Sequence, residues 1–438
     1  MNDLLPGRVN AMIAATDLTQ RLDALAGEVL RSGVTPAAAV ALTDRARTVI
    51  ARTYGDAPGD ALWQVGSIGK SFTAALTLEA AEQGLLDLHA PVTEYLPWFS
   101  VRSVHPPITL HHLLTHTAGL ICGAEIATAS TYDVVELAST EAAYAPGEHH
   151  WYSNVGYRTI GLVLERVTAT PYPDLVQRRL LDRVGMRQSS PWIVHDTRRV
   201  LPQGHVAFYD DRPWRPDHGL VPATWIESAE ADGCICCSIT DLAAWLRALW
   251  NGDVPSVRRP LALDEQEGTH YGYGLMVADE GFGHTGGMIG FHSMMWADEA
   301  SGIGAVACVN GFAGARQLAE RAIAVARGDE PEPFAWPHSE PLSDDGSARA
   351  EWAPFIGHYR SFNPWLSNLR VAARGGALVM GTDDGWSDRF PLTALDGREF
   401  RVGEQSWSPE RLRFDSVIDG VAQRAFLSGA AYHRTFAP

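Results

Sequence analysis

Apolar residues recur at helical spacing from about Leu18 to Arg31 (Leu22, Leu25, Leu30), which predicts an amphipathic helix. Two short β-like runs follow, Ala37 to Leu42 and Thr48 to Tyr54. Beyond a Gly/Asp/Pro turn, the segment Trp63 to Phe72 leads into strong helix formers from Thr73 to Glu82, so Ser67 sits at or near a helix start. From about 75 to 265 short helical patterns alternate with Pro- and Gly-broken loops, and Thr240-Asp241 reads as the N-cap of a helix over Leu242 to Trp250. The texture then turns to β, with runs at Tyr273 to Val277, Gly281 to Thr285, Phe291 to Trp296 and Gly304 to Val309, closed by a helix from Arg316 to Arg327. This order predicts an α+β fold: an antiparallel sheet flanked by helices, with a helical subdomain inserted.

Punctuation divides what remains. Residues 1–330 form one unit, and 331–348 read as an acidic linker carrying Pro331, Pro333, Pro337 and Pro341. Residues 349–438 repeat strand-turn-strand signals at Gly375-Gly376, Asp396-Gly397 and Asp419-Gly420, which predicts a small all-β, barrel-like domain. Within it, Tyr359, Asn363, Pro364, Trp365 and Asn368 are assigned buried or turn roles in preference to a reach into a cleft.

Charge narrows the function. Against 35 basic residues stand 52 acidic ones, a net charge of −17 that repels phosphate backbones and argues against a nucleic-acid partner. No basic start with an apolar run opens the chain and no membrane-length apolar stretch occurs, so a soluble, cytoplasmic protein without membrane contact is expected. Five irregularly spaced cysteines (Cys122, Cys234, Cys236, Cys237, Cys308) read as buried thiols, not a disulfide framework.

Lys70 is the only lysine among the 35 basic residues. An ammonium can lose its proton when desolvated, whereas a guanidinium cannot, so this position is a candidate for proton transfer. Ser67 lies three residues earlier, on the same face of a helix start. A serine hydroxyl needs a base to become a nucleophile, and a helix start offers backbone N–H groups for an oxyanion. A second element, Tyr152-Ser153-Asn154, supplies a phenol able to relay a proton and an amide able to hold Lys70 and a substrate carbonyl. The third, His284-Thr285-Gly286-Gly287, ends a predicted strand whose edge can pair with substrate and whose Gly287 N–H can join that of Ser67 in an oxyanion hole.

Other chemistries fit less well. Gly69-Lys70-Ser71 imitates the end of a phosphate-binding loop, but Gln64 stands where its first glycine belongs. The G-x-S-x-G elbow fails at Val65. His112 and His116 have helical spacing for zinc, yet Leu113 replaces the metalloprotease glutamate, so capping and loop hydrogen bonds are the favoured reading. His149-His150 lacks a ligand-spaced partner, and Cys234 and Cys236 read as one side of a strand in the core.

With S-x-x-K, Y-x-N and H-T-G in this order, the chain resembles the serine β-lactamase and penicillin-binding-protein superfamily over roughly residues 15 to 327, including the segment Leu113 to Leu120. Tyrosine in the second motif makes it most similar to class C β-lactamases and their carboxylesterase and D-aminopeptidase relatives. The resemblance implies that Ser67 is an acyl-enzyme nucleophile, Lys70 its general base and Tyr152 a proton relay. Asn154, His284, Thr285 and Gly286 would then bind substrate, and no cofactor or metal is required. Where penicillin-recognising members carry lysine, this chain has His284, mostly neutral near pH 7, so strong β-lactamase activity is not expected. The expected substrate is a small ester, amide or peptide containing D-residues. Acyltransferase or peptide cyclase action on the same fold is the alternative, and a receptor acylated without turnover is the alternative outside enzymes. The trailing β domain resembles the lipocalin-like domains of several such relatives.

Overall fold

A computed structural model describes residues 15–123, 129–209, 211–225, 230–265, 268–335, 342–363, 365, 368–382, 389–427 and 429–435. Its centre is an eight-stranded antiparallel sheet. In spatial order the strands are Thr48–Gly55, Ala37–Thr43, Ile303–Val309, Phe291–Asp298, Gly281–Met288, Met276–Ala278, Thr269–Tyr271 and Ala262–Asp264.

The strand Ala37–Thr43 is buried at every position because both sheet faces are covered. Successive side chains point to opposite faces, so Ala38, Val40 and Leu42 meet the terminal helices Ala15–Arg31 and Ala315–Arg327 through Leu22, Leu25, Val29, Leu318 and Ala322. Ala37, Ala39 and Ala41 face the larger core, which holds the helix Gly69–Glu82 and the helix Ile239–Asn251. Phe72 and Trp245 stack there with ring centres 3.7 Å apart.

Several boundaries depart from the sequence pattern for local reasons. The helix read from Leu242 begins at Ile239, because Ser238 rather than Thr240 accepts the Asp241 N–H and caps it. The strand expected over Tyr273 to Val277 is confined to Met276–Ala278. Gly274 adopts a left-handed φ of +66°, and a side chain there would come within 2.4 Å of the Lys70 carbonyl, so 272–275 turns against the helix Gly69–Glu82. Cys234 has φ of +72° and precedes the strand Cys236–Ser238 instead of sharing a face with Cys236 in it.

The β-rich C-terminal region closes as an eight-stranded barrel from Gly357–Arg360 to Ala430–Arg434. Phe355, Tyr359, Phe400, Phe414 and Tyr432 fill it, with Phe355 and Phe414 stacked at 4.6 Å. The acidic connection is docked at both ends. Phe334 packs on the helical layer and Gln317 bonds Ala335, while Asp345 accepts the Gly375 N–H of a barrel hairpin. Of the barrel residues singled out by sequence, Tyr359 is buried and donates to the Phe355 carbonyl. Asn363 accepts the Trp365 N–H in a turn, Trp365 packs against the large core and Asn368 is buried; Pro364 lies outside the described residues. No helix among the described residues is long and apolar enough to cross a membrane.

Candidate active site

A 3-10 turn over Gly66–Ile68 runs into the helix Gly69–Glu82 and delivers Ser67 and Lys70 to one place. Glycines make this turn possible. Gly66 has φ of +53°, and a side chain on it would meet the Gly287 backbone at 2.6 Å. The close approach brings the Ser67 turn against the Gly287 end of the strand Gly281–Met288.

Lys70 is fully buried. Its Nζ lies 3.0 Å from Ser67 Oγ, 2.8 Å from Asn154 Oδ1 and 2.7 Å from the Asp232 carbonyl. Neither the amide oxygen nor the carbonyl can donate, so in a neutral amine they take both N–H groups and leave the lone pair facing the Ser67 hydroxyl. The Asp232 carboxylate is itself fixed by Arg158, a buried guanidinium that also pairs with Asp133. Burying such a group without its carboxylates would be costly, so the chain that carries the Asp232 carbonyl is held firmly.

Tyr152 is hydrogen-bonded to Ser67, and desolvation holds its phenol well above the usual tyrosine range. It is therefore protonated at neutral pH. Its ring lies 4.9 Å from Lys70 Nζ. The turn bearing Tyr152 is anchored through His116, whose carbonyl accepts the Trp151 N–H and whose Nδ1 accepts the Ser153 N–H. Ser153 caps the helix Asn154–Thr168 by accepting from Gly156, while the Cys122 carbonyl takes the Asn154 N–H. The two histidines with zinc spacing thus enter local hydrogen bonds: His112 closes a capping box with Thr109, and His116 holds the tyrosine turn. Of the five cysteines, which are free thiols, four are buried and Cys122 is half-buried.

The third motif departs from expectation. His284 is buried, its Nδ1 lies 2.5 Å from the Thr285 carbonyl, and its Nε2 lies 2.8 Å from the Tyr271 hydroxyl. Since a carbonyl only accepts, Nδ1 carries the hydrogen and Nε2 accepts from Tyr271. Desolvation by burial pushes this imidazole down to about 3, against an upward pull from its hydrogen bond to the Thr285 carbonyl. A neutral ring with both nitrogens engaged has no donor for a substrate carboxylate, so this side chain is held by the fold. Gly286 must lack a side chain, since one there would fall 1.9 Å from the Val65 carbonyl. Thr285 is half-buried, whereas Gly287 is exposed and a side chain on it would meet nothing within 4 Å. On this side the strand offers its Thr285–Gly287 backbone, since its neighbour Met276–Ala278 pairs only with Gly281 to Gly283.

Ser67, Lys70, Tyr152 and Asn154 come together, and the Gly287 backbone meets the residue before Ser67. Sequence reading missed Asp232, Tyr271, Arg158 and Asp133. Asp232 acts through its backbone carbonyl, which no side-chain pattern encodes, and the others join the site only through contacts 13 to 74 residues away in sequence.

Residues 22–330 match the Beta-lactamase family model, and the chain belongs to that family. Penicillin-binding protein 4* of Bacillus subtilis is 25% identical over 268 residues, 54% of this chain and 58% of its own length. Esterase EstB of Burkholderia gladioli is 30% identical over 202 residues, 40% of this chain and 51% of its own. The chain thus spans about half the length of these curated relatives. The octameric penicillin-binding protein homologue from Pyrococcus abyssi shares the fold over 94% of this chain and 99% of its own, with a TM-score of 0.65 at 20% identity.

Proposed function

We propose that this protein is a serine hydrolase that forms an acyl-enzyme at Ser67 and cleaves or transfers small esters and amides, peptides with D-residues among the amides. The three-way hold on Lys70 Nζ, between Ser67 Oγ, Asn154 Oδ1 and the Asp232 carbonyl, is the observation that carries the reading, and with the amine neutral its lone pair serves Ser67. Lys70 takes the hydroxyl proton as Oγ bonds to the substrate carbonyl carbon. The carbonyl electron pair moves onto oxygen, where the Ser67 and Gly287 N–H groups stabilise it. Collapse breaks the bond to the leaving group, which receives a proton through Tyr152. Water or an amine then attacks the ester, Lys70 accepts its proton, and Oγ leaves to regain a hydrogen. Asn154 orients the amine, and the open Thr285–Gly287 edge accommodates an extended substrate backbone.

The engaged, neutral His284 supports weak handling of penicillins, because nothing at that position meets their carboxylate. The name of esterase EstB points to ester chemistry in a relative of this chain. A panel of p-nitrophenyl esters, D- and L-aminoacyl anilides and a penicillin, read by product release and by intact mass with Ser67→Ala as control, tests the proposal. Turnover with a transient adduct on Ser67 is expected, and adding an amine nucleophile separates hydrolysis from transfer. One stable adduct per chain without product would make the protein an acylated receptor instead.

A further inference from the structure

The barrel reaches the tyrosine turn through one loop. Between the strands Glu399–Val402 and Arg411–Ile418, residues 403–410 carry Trp407 and Glu410 out to the catalytic domain. Trp407 stacks on His149 with ring centres 4.3 Å apart and planes 4° from parallel, and it meets Tyr144 and Trp151 edge-on. Glu410 is buried, and its Oε1 accepts two hydrogen bonds, from the Cys122 N–H at 2.7 Å and from Trp151 Nε1 at 3.3 Å.

Those two donors flank the reactive turn. Trp151 directly precedes Tyr152, and the Cys122 carbonyl takes the Asn154 N–H, so one carboxylate oxygen ties together the two strands of chain that aim Tyr152 and Asn154. Glu410 is itself well fixed. The Ser408 hydroxyl accepts its N–H, while the Val402 N–H and the Arg411 guanidinium both donate to its carbonyl. A charged acceptor in a dry environment makes a strong hydrogen bond, and its loss leaves buried donors unpaired.

We infer that Glu410 is a positioning residue for Tyr152 and Asn154, so that the reactive site is complete only with the barrel docked. The inference rests on the acyl-transfer reading for its kinetic arm and on the hydrogen bonds alone for its structural arm. Both donors converge on one oxygen, so an amide oxygen can take over these two hydrogen bonds.

The test uses the full chain. In Glu410→Ala, kcat on an aryl ester falls ~10- to 100-fold with KM nearly unchanged, the scale of a misaimed catalytic group. Glu410→Gln recovers most of that rate. Hydrogen exchange in Glu410→Ala quickens in peptides covering 119–123 and 151–156, while barrel peptides over 411–427 stay protected. If Glu410→Ala proves too unstable, Trp151→Phe removes one donor alone and gives a fall of a few-fold with faster exchange at 151–156. Unchanged exchange in these segments overturns the inference. So does an alanine variant within twofold of wild-type kcat, or a glutamine variant as slow as alanine, which would assign the carboxylate a charge role. Should the wild-type chain turn over no ester or amide, the acyl-transfer reading fails while exchange still decides whether Glu410 holds the turn.

Discussion

The two walls of the site work differently. The wall built from Ser67, Lys70, Tyr152 and Asn154 presents side-chain groups to the reacting centre, each within hydrogen-bond reach of the next. Opposite it, the strand His284 to Gly287 turns its one titratable side chain inward and offers backbone alone. Under the proposed reaction, chemistry belongs to the first wall and substrate alignment to the second, and residue identity matters for opposite reasons. On the first wall a side chain must be present; on the second, at Gly286, one must be absent.

The largest effect expected is on the first wall. Lys70→Arg keeps a positive charge but installs a group that cannot surrender a proton, and acylation of Ser67 measured by intact mass should slow ~1,000-fold or more. Retention of a near wild-type rate would remove Lys70 from the mechanism. The neighbouring glycines sharpen the contrast between walls. Gly286→Ala drives a methyl into the Val65 carbonyl and should cost about 1–3 kcal/mol in denaturant unfolding, with activity lost alongside. Gly287→Ala adds a methyl to open space, so its unfolding midpoint should match wild type while KM for bulky substrates rises. Equal destabilisation by the two would contradict the placement of this strand.

His284→Phe tests the reassignment of the histidine. Removing the imidazole acceptor from the Tyr271 hydroxyl, which also hydrogen-bonds Tyr157, should cost about 1 kcal/mol of stability. Discrimination between neutral and carboxylate-bearing substrates should stay as it is; a change there would return His284 to substrate binding. The smallest effect comes from acid. His284 is pushed down to about 3, and His112 and His292 to about 4, all chiefly by desolvation. Between pH 6.5 and about 4 the unfolded chain binds protons at these positions that the folded chain does not. Stability is thus fully present above pH 6.5 and falls as the pH drops toward 4. Thermal unfolding across this range should show that slope, and His284→Phe should flatten it.

Much of the first wall was legible in the sequence because its groups are side chains carried on contiguous motifs: Ser67 with Lys70 on one helix start, Tyr152 with Asn154 on one turn. The same holds for the fold class, since alternation and helical spacing mark the sheet and its covering helices. The second wall was read less well. His284 stands where the motif demands, but whether its ring faces substrate or Tyr271 depends on a residue 13 positions away in sequence and on burial that no local pattern reports.

By itself, the sequence determined which chemistry the chain can attempt, because a lysine, unlike an arginine, can shed its proton beside Ser67, and a glycine at 66 lets that turn meet the Gly287 backbone. Tertiary structure decided which groups face the reacting atoms. The Asp232 carbonyl, the Arg158 clamp and the barrel's Glu410 contribute through position in space, and hydrogen bonds form between neighbours in the fold whatever their separation along the chain.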